Sequence, residues 1–144
     1  MTINATDTPI LAVTFFALWT AALAISVPIW RIILVSSGLS RTSDFTPGDA
    51  HGSPIYWRVN RAHANAAENL AVFAALAIAG IASGVSDALF GQLCLAALIA
   101  RIVQSVIHIA SGAGAAIIGR FIAFAVQIAC YFGMGILILS HYTA

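Results

Sequence analysis

Four apolar runs, each long enough to cross a bilayer and each closed by a polar break, leave this chain very few folds. They cover roughly residues 9–35, 57–82, 87–109 and 115–140, and a spanning helix needs about 20 residues. In hydrocarbon every backbone N–H and C=O must be satisfied within its own segment, so runs of this length are helices. Only 8% of the residues are charged, with a mean hydropathy of +0.99, where a soluble domain carries about 25%. That is too little polar surface to wrap a water-soluble fold. The net charge of +1 also provides no electrostatic footprint for nucleic acid.

The breaks define the connections. Residues 36–56 are rich in Ser, Thr, Gly and Pro, with Pro47-Gly48-Asp49 and Gly52-Ser53-Pro54 as turn signals, so they read as one hydrophilic loop. Pro28 should kink the first helix or mark its last turns. Trp30 and Arg31 read as an interfacial aromatic and a snorkelling cation, and Tyr56 and Trp57 mark the next interface. Gly84 to Asp87 forms a tight turn with Ser86 as the expected N-cap. Ser111-Gly112-Ala113-Gly114 separates the third and fourth helices. One long and two short connections predict an all-α, up-down four-helix membrane bundle occupying 1–144 as a single domain. Cys94 and Cys130 lie inside apolar runs and read as packing residues. No Cys/His spacing suits a metal, so none is expected. His51 and His141 read as solvated.

All six basic residues are arginines. In an antiparallel bundle Arg31, Arg41, Arg58, Arg61, Arg101 and Arg120 gather toward one membrane side, leaving Asp7, Asp87 and His141 on the other. The positive-inside rule makes the arginine side cytoplasmic and both termini non-cytoplasmic. The complete preference for Arg over Lys suggests a bacterial source, hence a bacterial inner membrane.

The second run opens on Arg58-Val59-Asn60-Arg61-Ala62-His63-Ala64-Asn65-Ala66-Ala67-Glu68-Asn69. At 100° per residue, Arg58, Arg61, Asn65, Glu68 and Asn69 share an arc of about 100°, with His63 off to another side. On the third helix Arg101, Gln104, Ser105 and His108 share a similar arc. Glu68 lies ~15 Å beyond Arg58, and Arg101 about 10 Å before His108. Their depths match, and either charge alone would be costly there, so Glu68 is expected to pair with Arg101. The cations left over, including Arg120 at the start of helix four, exceed the intramembrane carboxylates. Such a donor-rich cavity suits a small anionic ligand, because the planar fork of arginine binds carboxylates bidentately.

At these residues a resemblance appears. Arg61-Ala62-His63-Ala64-Asn65-Ala66-Ala67-Glu68-Asn69, followed by Phe73 and by Arg101 on the third helix, resembles the signature of the MAPEG family. This family comprises membrane-associated proteins of eicosanoid and glutathione metabolism, including microsomal glutathione transferases and bacterial relatives. The resemblance implies a homotrimer that takes glutathione as co-substrate between subunits near the cytoplasmic face and conjugates or reduces lipophilic electrophiles delivered from the lipid. It assigns glutathione contacts to Arg61, Asn65, Glu68 and Arg101, with Arg31 as the cation ending helix one, and the shared stripes add Arg58, Asn69, Gln104 and His108. Arg120 takes the place of the arginine that stabilises the thiolate. Where relatives have Tyr and Pro after the motif Glu, this chain has Asn69 and Ala71, so no proline kink is expected in helix two. Gln104 and His108 stand where relatives have aromatic residues. A non-catalytic relative binding an anionic lipid or a partner is the alternative.

Overall fold

The computed structural model describes residues 7–46 and 52–143. The turn expected at Pro47-Gly48-Asp49 and the solvated His51 lie outside the described residues. Four helices follow one another: α1 (Asp7–Ser36), α2 (Pro54–Ala82), α3 (Ala88–Ala110) and α4 (Gly114–Thr143), with one 3-10 turn at Thr42–Asp44. Each is long and apolar enough to cross a membrane.

Helix ends explain the differences from the expected boundaries. Gly52-Ser53-Pro54 is the start of α2 rather than only a turn. Ser53 Oγ accepts from the Tyr56 amide at 3.2 Å. Pro54 fits the first helical position because the N–H it lacks would be unpaired there anyway. At α3 the cap is Asp87, not Ser86, its carboxylate accepting from the Leu89 amide at 2.8 Å. An anionic cap also complements the partial positive charge of a helix N-terminus. Pro28 sits inside α1, with about two turns of helix beyond it. No proline interrupts α2 after its first turn.

Hydrogen bonds between helix ends set the topology. Late in α1, Arg31 donates from Nε to Tyr56 Oη, early in α2, at 2.6 Å. Arg58, one turn into α2, donates from Nε to the Ile109 carbonyl at the end of α3, at 3.0 Å. At the opposite end Tyr142 Oη donates to Ser83 Oγ at 2.8 Å, joining the ends of α4 and α2. The bundle is therefore up-down, as expected. Helices α2 and α3 each pack against the other three, with α1 and α4 on the flanks.

The core combines an aromatic line with a polar one. Phe16, Phe73 and Tyr131 stack in sequence across α1, α2 and α4, with centroids 5.2 and 6.0 Å apart. Cys94 and Cys130 are free thiols within the same core, and Trp19 packs against it. Gly80 lets α2 approach α3, because a Cβ there would run into the buried Phe90 ring. The polar line begins at Arg101, which is 0% exposed. Its Nη1 donates to Gln104 Oε1 and its Nη2 to Gln127 Oε1, the latter at 2.6 Å. Gln127 passes the connection on from Nε2 to Tyr131 Oη, which donates to the Asn69 carbonyl at 3.2 Å. The Phe16 ring lies 5.9 Å from the guanidinium carbon. All four helices thus meet at one buried cation.

Two stability outcomes follow. Gln127→Leu strips a charged donor and a phenol of their common partner, so a detergent or SDS unfolding titration should show a loss of about 2–3 kcal/mol. Tyr131→Phe should lose about 1 kcal/mol; a Gln127→Leu protein as stable as wild type would contradict this. Overpacking by Gly80→Ala should cost about 1–3 kcal/mol, and Phe90→Leu in the same chain should recover part of it in thermal melts.

Candidate functional site

The arginine end of the bundle is assembled from the first turns of α2 and α4 and the last turns of α1 and α3. The polar stripe of α2 is real but it divides. At one edge of its arc, Arg58 reaches the end of α3, and the Asn69 backbone receives Tyr131 of α4. At the other edge Arg61 and Glu68 are exposed on the single chain, although they lie about two helical turns apart in a segment apolar enough for a membrane. Asn65 lies between the two edges and is half-buried. Its backbone carbonyl accepts from Asn69 Nδ2 at 2.9 Å.

The expected Glu68–Arg101 pair is not formed. No hydrogen bond or ion pair joins the two, and Arg101 is instead held by Gln104 and Gln127. The reason is geometric: Arg101 points into the bundle toward α4, while Glu68 sits on the outward edge of α2. Arg101 Nε has no hydrogen-bond partner among the described residues. Its charge is solvated by amide oxygens but not cancelled by a carboxylate.

Across the Ser111–Ala113 connection, Arg120 reaches back to α3. Its Nη1 lies 3.0 Å from His108 Nδ1, and both residues are half-buried. Arg58 is close by, since a Cβ on Gly112 would meet its Nη1 at 3.9 Å. His108, Arg58 and Arg120 therefore share one end of α2–α4. Arg31 stands apart. Its contacts are Tyr56 and Phe45, whose ring lies 5.3 Å from the guanidinium carbon, in a groove of about 400 Å³ lined also by Ile32, Ser36 and Thr42. His63 is half-buried on α2.

Gln127, Tyr131 and Tyr56 are the structural partners that the sequence reading missed. Gln127 carried a usable signal, being the lone amide in the middle of a membrane-length helix. Such a residue almost always faces the bundle interior. Tyr131, one turn later, lies on the same face. Beyond it a second groove of about 410 Å³ opens between α2 and α4, lined by Val72, Leu76, Ile128, Phe132 and Ile136 and almost wholly apolar. The arrangement offers guanidinium donors at one end and an apolar surface along the helices, a combination suited to an anionic polar ligand beside a lipophilic one.

No curated protein matches the chain. The MAPEG family matches residues 10–140, from the first turn of α1 to the last turns of α4. With four membrane-length helices as its framework, the chain is a multi-pass membrane protein that belongs to the MAPEG family.

Proposed function

We propose that this protein is a glutathione-dependent membrane transferase or peroxidase that conjugates or reduces lipophilic electrophiles. The observation that carries the reading is a surplus of positive charge. Among the described residues none of the arginines of α2, α3 and α4 is ion-paired: Arg58 bonds a carbonyl, Arg101 two amides and Arg120 an imidazole. Two carboxylates and one thiol of glutathione would meet the peripheral donors, Arg58 and Arg120, together with the exposed Arg61. Family membership supports the same ligand. In this reading Arg61, Asn65, Glu68 and Arg58 bind the tripeptide along the α2 stripe, with Glu68 available to its amine. Asn69, Gln104 and His108 line the neighbouring wall, Arg31 supplies a cation from α1, and Arg101 holds the wall in register. Arg120 stabilises the thiolate. A free thiol titrates near 8.5, and an adjacent cation lowers that value by about 1.4 kcal/mol of thiolate preference per unit. Because arginine does not act as a base, its contribution is electrostatic.

The working form in this reading is a homotrimer in a bacterial inner membrane, arginine end in the cytoplasm and both termini outside. An exposed Arg61 and Glu68 on one helix in lipid are expensive, and a second copy of α2 lets them face protein instead. Native mass spectrometry from detergent should therefore give three chains; a monomer at all protein concentrations would remove this assembly.

Calorimetric titration should detect glutathione binding that falls at least tenfold in Arg61→Ala. With a model aryl halide, wild-type thiol depletion should exceed that of Arg120→Ala by about one to two orders of magnitude, the range of a lost transition-state donor. Equal rates would take Arg120 out of the chemistry. Binding without turnover would select a non-catalytic family member that holds an anionic lipid or partner.

A further inference from the structure

We infer that His108 is a positioning residue for Arg120, held as a neutral ring with its proton on Nε2, and not a base. Arginine has five N–H donors and no acceptor, and it stays protonated in proteins. At 3.0 Å from Arg120 Nη1, His108 Nδ1 can only be accepting, so it carries no proton. The remaining ring proton is then on Nε2, which can donate but not accept. A doubly protonated ring would place two cations in contact with no acceptor between them. The charged groups bearing on the ring are Arg120 from α4 and Arg58 and Arg61 from α2, all positive.

The contact has two consequences. Arg120 is a long side chain on the first turns of α4, joined to α3 through the short Ser111–Ala113 connection. His108 gives its guanidinium one anchored N–H and so fixes where the other donors point, as a second-layer partner fixes a functional group. Both nitrogens of His108 are also committed to roles other than proton acceptance, so the ring cannot take the proton of a bound thiol. It acts through Arg120. The first consequence rests on the contact alone. Its effect on a bound thiolate rests on the glutathione reading above.

The test therefore has two arms. The protein labelled with 15N-histidine, in detergent at neutral pH, should show His108 as the Nε2–H tautomer. The resonance is assigned by its disappearance in His108→Asn, and Arg120→Ala should release the ring into tautomer exchange. A ring protonated on Nδ1, a cationic ring, or a tautomer indifferent to Arg120→Ala would each overturn the inference, whatever ligand the protein binds. In the second arm the ultraviolet thiolate absorbance of bound glutathione is titrated. His108→Leu should move the midpoint up by about one pH unit, a tenfold loss of thiolate preference. His108→Asn keeps an acceptor near the Nδ1 position and should restore most of the shift. A midpoint unchanged in His108→Leu but raised in Arg120→Ala would overturn the positioning role and leave the glutathione reading intact. Absence of glutathione binding by wild type would remove that reading, and the tautomer arm would still decide the inference.

Discussion

The guanidinium of Arg101 is the constraint to which the rest of the bundle adjusts. A charge at that depth loses several kcal/mol of hydration, and leaving it unpaired would destabilise any packing around it. The chain supplies neutral acceptors, Gln104 from the same helix and Gln127 from α4, and the face of Phe16 from α1. Each amide then has an N–H to place, and Gln127 places its own on Tyr131, which is tied to the α2 backbone at Asn69. One residue of sliding moves a helix by about 1.5 Å, enough to break any of these bonds. The polar line therefore fixes the relative register of α2, α3 and α4 more strictly than apolar side chains could, because leucines and alanines pack acceptably in several registers.

Holding Arg101 in this way separates two kinds of cation. The buried one serves the register of the helices and is closed to solvent at 0% exposure. The others, Arg58, Arg61 and Arg120, sit within the first turns of α2 and α4, where they are half-buried or exposed. Their partners are a carbonyl for Arg58 and an imidazole for Arg120. These neutral contacts orient an arginine while leaving its charge available. A carboxylate in either place would have oriented it equally well and cancelled it.

The sequence made the framework legible because membrane helices announce themselves by length and apolarity, and because two of the three connections are short enough to force antiparallel neighbours. The stripes were legible too, since 100° per residue places Arg58, Arg61, Asn65, Glu68 and Asn69 on one arc. What periodicity cannot state is where that arc points. Its Arg58 and Asn69 edge meets α3 and α4, while its Arg61 and Glu68 edge leaves the chain. The expected Glu68–Arg101 pair assumed that matched depth and opposite charge suffice. Depth is only one coordinate, and the azimuths of the two side chains differ. The start of α2 and the cap of α3 differ from expectation for a local reason: Ser53 and Asp87 each accept from an N-terminal amide and Pro54 has none to leave unpaired, while a turn and a helix start draw on the same amino acids.

The division between buried and peripheral cations also bears on where a thiolate could be formed. An anion beside Arg101 would gain attraction in a low-dielectric interior, yet it would lose its hydration, and those two quantities are of similar size. At the mouth of the bundle the loss is smaller because water still reaches the sulfur, while a half-buried guanidinium keeps much of its field. A thiol also has to give its proton to something. Neither arginine nor an imidazole whose only free nitrogen lone pair already receives Arg120 accepts it, so in this reading the proton leaves to water. That requirement favours the open end over the dry core. It makes the Arg120–His108 contact, and not the buried Arg101, the place where the chemistry of a bound thiol would be set.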